Sequence, residues 1–346
     1  MMKILLVIFL VLTLAIPASA LEITPPAVPE NGLAQMPEHT DSFGTALMEL
    51  MQNGADLMPR ELEQALQVSW DMVAAVLLFS LLMTVTEQAD GVISIAAVVT
   101  ISTVLFRPAE AMMEYASEAV LDICAYGKLL CPVMTTALAA QGGITASAAL
   151  YTGTTVFITC LSMLVSRVFV PMVYLYMILS ISHSALGEEC MKKFADVVKN
   201  TLSWLLKTML LVFTTYMSVT GVVSGTTDAA ALKAAKVTIS SVVPVVGGIL
   251  SDASESVLVS IGVMKNAAGI YGIVAVLAVF VGPFVKVGIQ YLLLKGTAAL
   301  CSLFGNKSIT ALIDSFSTAM GLLLAMVGSG CLLVLISTVC FMKGCG

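Results

Sequence analysis

The stretch from residue 270 to residue 304 reads IYGIVAVLAVFVGPFVKVGIQYLLLKGTAALCSLF, and its charged side chains are those of Lys286 and Lys295. A helix on the surface of a soluble domain has a polar face, and this stretch has none. It is longer than the roughly 20 apolar residues that carry a helix across a bilayer. The stretch therefore predicts membrane-spanning helix, either as a tight hairpin that turns at Lys286 or as a helix that is kinked at Gly282 and Pro283.

The composition of the whole chain agrees with a lipid environment. Of 346 residues, 59% are apolar and 11% are charged, whereas soluble domains have about 45–50% apolar and about 25% charged residues. The formal net charge is −6, so the chain lacks the basic surface that phosphate backbones require. These values exclude nucleic acid as a partner and exclude an ordinary soluble enzyme.

Apolar runs recur along the chain, and several have the length of a spanning helix. We therefore predict an all-α integral membrane protein, a polytopic helical bundle of about seven spans with a short amphipathic or re-entrant helical hairpin. The apolar runs cover residues 68–86, 91–106, 144–165, 168–186, 208–223, 270–285, 287–304 and 316–342.

The N-terminal region divides into two segments. Lys3 is followed by thirteen uncharged, mostly apolar residues and then by small residues, which predicts a signal peptide at 1–20. The alternative is a first transmembrane helix that stays attached. Residues 21–67 carry eight acidic side chains and one basic side chain, which predicts an exported acidic segment with an extracytoplasmic N-terminus. Residues 68–346 then form the polytopic membrane domain.

The lysine distribution bears on the orientation in the membrane. Residues 187–207 carry four lysines, which favours a cytoplasmic loop because cytoplasmic loops are enriched in Lys and Arg. An exported N-terminus and four crossings before this loop would place it outside. The conflict disappears if one earlier run is re-entrant or interfacial, and the short run 91–106 is the best candidate.

An amphipathic helix is expected at residues 109–128. Glu110, Glu114, Glu118 and Asp122 recur every four residues, so they share one helical face and repel each other unless water or a cation faces them. The face fits a helix that lies in the membrane interface or against a partner. The alternative is a merely solvated face on a connecting helix.

A second amphipathic segment at residues 226–266 is predicted to be a helical hairpin. A proline and two glycines interrupt it, so the backbone is expected to bend there. Each arm has about 13 residues, too few to span comfortably, so the hairpin is expected to be re-entrant or interfacial. The residues singled out are Pro244, Gly247 and Gly248 at the elbow, and Asp228, Lys233, Lys236, Asp252 and Glu255 on the polar faces of the arms.

The same segment carries a family signature. The residues Asp228-Ala229, Lys233, Lys236, Val243-Pro244-Val245-Val246-Gly247-Gly248, Leu250-Ser251-Asp252-Ala253, Glu255 and Lys265-Asn266-Ala267-Ala268-Gly269 resemble the stage III sporulation protein AE family of endospore-forming bacteria. The signal peptide, the acidic exported segment and the run of spans are also similar, so the resemblance covers nearly the whole chain.

This resemblance implies a location and a set of partners. The family is a polytopic component of the trans-envelope complex between mother cell and forespore, and it is distantly permease-like. The resemblance implies the mother-cell membrane facing the forespore, a part in a channel or secretion-like conduit, and partners among the other membrane proteins of that complex. The lipid bilayer and a second copy of the chain are further expected partners. The resemblance supplies no catalytic residues.

Charged side chains inside apolar runs are the remaining candidates for function, because each costs about 2.5–3.5 kcal/mol at the centre of a spanning helix. Arg167 lies between two runs without a polar loop, so it marks either a very tight turn or a position facing a protein interior. We expect Arg167 and Lys295 to face the interior or a lumen, and a helix kinked before Lys286 would place that lysine there too. The alternative is that they anchor helix ends at the interface.

Catalytic motifs are absent from the sequence. It contains no H-E-x-x-H, G-x-S-x-G or G-x-x-x-x-G-K-[ST] pattern, so the chain is expected to be no enzyme and to need no metal or other cofactor. The rival hypothesis is a self-sufficient secondary transporter or permease, in which broken helices form a substrate site at the membrane midplane. Prolines interrupt the apolar runs at Pro171, Pro244 and Pro283, but no internal repeat accompanies them.

Overall fold

The fold is known from a computed structural model that describes residues 25–37, 43–85, 90–242, 247–303 and 307–343, without the side chains of residues 31, 64, 68, 80, 82–91 and 221–265. All regular secondary structure in these ranges is helical, which confirms the predicted all-α fold. The helices are α1 (Glu30–Leu33), α2 (Phe43–Val85), α3 (Asp90–Ala140), α4 (Ile144–Leu164), a π-helix (Val165–Phe169), α5 (Val170–Leu186), α6 (Glu189–Val242), α7 (Gly247–Ser302) and α8 (Lys307–Lys343).

Within the described ranges, six helical stretches are long and apolar enough to cross a bilayer. This agrees with a polytopic bundle of about seven spans. The number is lower than the number of apolar runs because two pairs of runs each form one uninterrupted helical stretch. The six stretches are Phe43–Phe79, Val92–Ala140, Ile144–Leu186, Glu189–Thr220, Asn266–Ser302 and Lys307–Lys343.

The first merged pair meets at the π-helix Val165–Phe169, which contains Arg167. The backbone stays helical from Ile144 to Leu186, so the tight turn at Arg167 is wrong. Nothing in the sequence Val-Ser-Arg-Val favours a turn, since it has no Gly, Pro, Asn or Asp. The extra residue of the π-helix is instead absorbed as a local widening of the helix.

The second merged pair lies within α7, which continues through Pro283 and Lys286. The hairpin with Lys286 as its turn is therefore wrong. Proline removes one backbone donor from a helix, but neighbouring helices can tolerate this inside a membrane bundle.

The predicted hairpin at 226–266 also differs from expectation. Its two arms are the C-terminal part of α6 and the N-terminal part of α7, each continuous with a spanning stretch. They are therefore not separate helices of about 13 residues. The second arm begins at Gly247, and the residues between Val242 and Gly247 lie outside the described part of the chain.

The core of the bundle is built around α8, which packs against α3, α4, α5, α6 and α7. Its side chains Phe316, Leu323 and Met326 are fully buried. The Ser317 hydroxyl donates to the Tyr291 carbonyl of α7 over 3.3 Å, while Met342 at the far end of α8 touches Gly269. These contacts make residues 269–291 of α7 and 317–342 of α8 antiparallel neighbours.

Two short connections depend on glycine. Gly142 and Gly187 have φ values of 95° and 71°, a backbone region that other residues rarely adopt. Gly187 ends α5 by donating its N–H to the His183 carbonyl over 2.8 Å. Because α6 begins at Glu189, α5 and α6 are close antiparallel neighbours.

A close contact joins α4 to α6. The Tyr216 hydroxyl of α6 donates to the Ala149 carbonyl of α4 over 3.0 Å. The Tyr216 ring lies so close to Gly153 that a β-carbon there would meet the ring at 2.0 Å. Phe157 packs edge-on against Phe213 one turn further along, with ring centroids 5.1 Å apart. Gly153 therefore sets the distance between the two helices.

We predict that Gly153→Ala destabilises the bundle by about 1–3 kcal/mol, the usual cost of overpacking a close contact. The added methyl group has to displace the Tyr216 ring, which also strains the hydrogen bond to Ala149. Thermal unfolding of the purified protein in detergent measures the change. Gly328→Ala is the matched control, because a β-carbon at Gly328 in α8 meets nothing within 4 Å. Equal melting temperatures for the two variants would contradict the close contact.

The merged helix 144–186 also gives a prediction for topology. If the N-terminus is exported, three crossings precede Gly187, so the connection to α6 lies in the cytoplasm and the lysines after it obey the positive-inside bias. The run 91–106 then crosses as part of α3 and need not be re-entrant.

Cysteine labelling tests this orientation. Cys190 is exposed beside the connection, so an impermeant maleimide should label it only after permeabilisation of the cells, with Cys190→Ser as the control. A Gln141→Cys variant made in the Cys190→Ser background should be labelled in intact cells, since residue 141 lies between the second and third crossings. The opposite pattern would overturn the orientation.

Candidate functional site

A charged cluster joins three helices near the middle of the bundle. Lys286 of α7 lies near the middle of the stretch Asn266–Ser302. Its Nζ is 3.9 Å from Oε2 of Glu61 in α2 and 4.9 Å from the centre of the Tyr115 ring in α3. The side chains of Lys286 and Glu61 are 31% and 18% exposed. The lysine is thus held by a carboxylate on one side and an aromatic face on the other.

The cluster forms because α2 and α7 run side by side. Gly54 of α2 lies against Val281 of α7, and Glu61 follows two helical turns later, where it reaches Lys286. Leu50 and Ala46 of the same helix are buried against Val274 and Ala278. The second half of the predicted acidic segment 21–67 is therefore helical and packs on the bundle.

A second group of polar side chains lies on the neighbouring face of α3. The Tyr174 hydroxyl of α5 is next to the carboxylates of Glu110 and Glu114 and hydrogen-bonds to Glu110. The Tyr174 ring also packs against Phe106, with ring centroids 6.3 Å apart. These contacts place the first part of the acidic stripe beside α5, while Glu118 remains exposed.

Lys295 is paired across the antiparallel helices α7 and α8. Its Nζ contacts Oδ1 of Asp314, and the two side chains are 50% and 48% exposed. Tyr291 and Tyr176 lie close to the ammonium group. In the single chain Lys295 is thus a half-exposed ion pair at a helix contact. A role facing a lumen remains a prediction.

Arg167 is exposed on the outer surface of the bundle. Within the single chain Arg167 is therefore not buried, and a position facing a lumen or the interior of an assembly remains a prediction. The π-helix rotates the helix surface at this point, while the neighbouring Val165 and Phe169 are fully buried. Arg167 has no carboxylate partner within the part of the chain that the structure describes.

The structure describes only part of the predicted hairpin positions. Gly247 and Gly248 are the first residues of α7, and Pro244 lies outside the described residues. The remaining positions fall on helical backbone, but their side chains are not described. They are Asp228, Lys233 and Lys236 on α6 and Asp252 and Glu255 on α7.

The comparisons with known proteins place the chain in a family. The family model described as Stage III sporulation protein AE matches residues 35–344. The chain belongs to this family. One similar protein is Stage III sporulation protein AE of Bacillus subtilis (strain 168), which is 25% identical over 205 residues, covering 59% of this chain and 51% of the relative. The chain thus matches about half the length of that relative. No solved structure matches the chain.

The region that matches the family model contains all the candidate site residues. The family model covers the bundle and most of the N-terminal segment, including Glu61, Lys286 and the residues of the hairpin. Lys286 and Lys295 were predicted as candidates from the sequence, whereas their partners Glu61 and Asp314 were not. A signal for Asp314 was present, because it is the only acidic residue after Glu255.

We predict that Lys286→Gln or Glu61→Gln lowers stability by about 1–2 kcal/mol. Each single variant leaves a partly buried charge without its partner, and the exposure of the pair keeps the effect below the 3–5 kcal/mol of a fully buried pair. The double variant Glu61→Gln/Lys286→Gln should recover most of the loss, because neither charge remains.

A double-mutant cycle from unfolding in detergent measures the coupling between the two side chains. Lys295→Gln and Asp314→Gln form the matched control pair, which is half-exposed and should couple by less than about 1 kcal/mol. A larger coupling in the control pair than in the Glu61–Lys286 pair would contradict the central role of the cluster.

Proposed function

We propose that this chain is a non-enzymatic component of a multi-protein trans-envelope channel or secretion-like complex that is needed for forespore development during sporulation. It belongs to a family of stage III sporulation proteins, and the six spanning-length helical stretches among its described residues fit a multi-pass membrane protein. The proposed location is the mother-cell membrane facing the forespore, with the mature N-terminus outside the cytoplasm.

One observation supports the multi-protein part of this proposal: charged side chains lie exposed on helices that are long enough to span. Arg167 is in the middle of the stretch Ile144–Leu186, and Glu114 and Glu118 are in the middle of Val92–Ala140. Each charge would cost about 2.5–3.5 kcal/mol at the centre of a lipid-facing helix. Such side chains are typical of a surface that another protein covers or that lines a water-filled conduit.

The length of the bundle also supports a multi-protein complex. The stretch Ile144–Leu186 has 43 residues and is about 65 Å long at 1.5 Å per residue. A bilayer's hydrocarbon core is about 30 Å thick, and the usual helix tilts of up to about 40° do not accommodate the difference. Part of the bundle therefore extends beyond the bilayer, as expected for a component that reaches other proteins of an envelope complex.

A self-sufficient secondary transporter is the rival, and it requires discontinuous helices at the midplane. In the described part of the chain, α7 is uninterrupted at Pro283 and Pro171 lies in the first turn of α5. Neither proline breaks a helix in the way that the rival requires. Pro244 lies outside the described residues.

The experiment uses a tagged copy of this chain in a sporulating strain that lacks its own family member. We expect the wild-type chain to restore heat-resistant spores and to co-purify with other membrane proteins. Arg167→Gln should reduce spore yield at least tenfold and lower the recovery of co-purified proteins. Arg167→Lys, which keeps the charge, is the control.

Immunoblots show whether both variants accumulate to the wild-type level. Normal spore yield and unchanged co-purification with Arg167→Gln would contradict a covered or lumen-facing role for Arg167. Purified wild-type chain that moves a solute on its own in liposomes, without any co-purified protein, would favour the transporter and overturn the proposal.

A further inference from the structure

The N-terminal half of α6 has an outward face that combines lysines with large apolar side chains. Ala195, Val198, Leu202 and Leu206 turn inward and are buried. The opposite face carries, at helical spacing, Lys193, Val197, Asn200, Trp204 and Lys207, all of them exposed. We call these five residues the α6 face.

Neither water nor lipid headgroups suit the α6 face. Val197 is 61% exposed and Trp204 is 63% exposed, so bulk water would contact two large apolar side chains. The face is also about 21 Å long, since its ends are 14 residues apart at 1.5 Å per residue. Each headgroup layer is only about 5–8 Å thick, so lipid headgroups can cover one end of the face, and lipid tails can cover Val197 and Trp204. The lysine at the other end then lies among the tails without a partner, which is costly.

The charges on the α6 face are available for a partner. Asp196 forms an ion pair with Lys199 over 3.0 Å, on the flank of the face. Lys193 and Lys207 have no carboxylate partner among the residues that the structure describes. A complementary partner therefore offers acidic side chains together with small or apolar ones.

The same chain carries such a surface on α3. Glu114 and Glu118 are exposed, and so is Ala111, while Met113, Ala116 and Val120 turn into the core. We call Glu114, Glu118 and Ala111 the α3 face. It has the opposite charge to the α6 face, and its alanine leaves room for the approach of a tryptophan.

Other helices separate the two faces. Helices α4, α5 and α8 each pack against both α3 and α6, so they lie between them. One chain therefore cannot bring its own α3 face onto its own α6 face. Two copies can do so in a head-to-tail contact, which leaves one free face at each end for further copies.

The faces also overlap along the bundle. Phe106 packs on Tyr174 and Gly127 lies against Ile158, so this part of α3 runs beside residues 158–174. Phe213 of α6 packs on Phe157, and α6 starts directly after α5 ends at Leu186. The α3 face therefore lies level with Trp204 and Lys207 of α6, whereas Lys193, four residues from the start of α6, lies beside the end of α5. Two copies can thus bring the Trp204–Lys207 end of the α6 face against the α3 face with little shift along the axis.

We propose that the α6 face of one copy binds the α3 face of a second copy of this chain. Lys207 approaches the carboxylates of Glu114 and Glu118, and Trp204 packs against α3 beside Ala111. The contact is heterologous, so it repeats from copy to copy and closes into a ring where the rotation allows. It concerns the chain alone and does not depend on the proposed conduit.

Charge reversal with rescue tests the contact on full-length chain purified in detergent. We expect the wild-type chain to have the mass of more than one copy by light scattering. Lys207→Glu should weaken association at least tenfold, and so should Glu118→Lys. The chain with both substitutions should associate again, because the two charges have exchanged sign. Lys307→Glu makes the same charge change at the start of α8 and should leave association unchanged.

Cysteine cross-linking keeps the proposal testable if a reversed variant fails to fold. Asn200→Cys and Ala111→Cys in one chain should give a ladder of disulfide-linked dimers, trimers and higher species on oxidation, since each copy has both faces. Each single variant should stay at the level of the wild-type chain, whose own cysteines set the background.

Several outcomes would overturn the proposal. They are a monomeric wild-type chain at every concentration, folded reversal variants that keep the wild-type mass, a folded Lys207→Glu/Glu118→Lys variant that fails to associate, and a cross-linked dimer from Ala111→Cys alone. The last result would indicate a symmetric contact between two α3 faces.

Discussion

Most polar groups in the described part of this bundle are satisfied by the protein itself, because a bilayer offers no water to replace a missing partner. The buried hydroxyl groups of Tyr126, Thr154 and Ser184 are exceptions, with no hydrogen-bond partner among the described residues. The hydroxyl groups of Ser102, Ser329 and Thr338 follow this constraint locally by donating to the carbonyl one turn earlier, over 2.6 to 2.8 Å. Tyr216 follows it across helices by donating to Ala149. Lys286 uses Glu61 and Tyr115. The polar contacts therefore fix where the helices meet, while apolar packing around α8 fills the space between them.

The same constraint separates the predictable from the unpredictable part of the fold. The continuous apolar runs predicted helices, because no other element satisfies its own backbone in lipid. They did not fix the number of spans, since an apolar run looks the same whether the helix continues or turns back. The absence of turn-forming residues around Arg167 was the relevant signal, and it favoured continuation. At Lys286 the preceding Gly282 and Pro283 gave the opposite hint, which the packing of α7 against α2, α3 and α8 overrides.

Only the lysine of each ion pair in the candidate site was predictable from the sequence. A lone lysine in an apolar run is conspicuous, so Lys286 and Lys295 could be found from the sequence. Glu61 is one of eight acidic residues in an apparently exported segment, and nothing local connects it with a lysine far along the chain. Its role depends on α2 packing beside α7, with Gly54 against Val281. Such long-range register is a property of the assembled bundle and has no local sequence pattern.

The π-helix joins two helices, α4 and α5, that are together longer than the thickness of a bilayer core. Helix α4 has 21 residues and α5 has 17, about 31 Å and 26 Å, so each alone matches the thickness of a bilayer core. Arg167 lies between them, and its charge is disfavoured in contact with lipid tails. Exposed apolar side chains continue on both sides, with Val156 and Met163 on α4 and Ile178 and Leu186 on α5. A single bilayer covers one of these helices and leaves the other outside the core. Since water is a poor solvent for such side chains, the part of the helix outside the bilayer core needs to be covered by another protein.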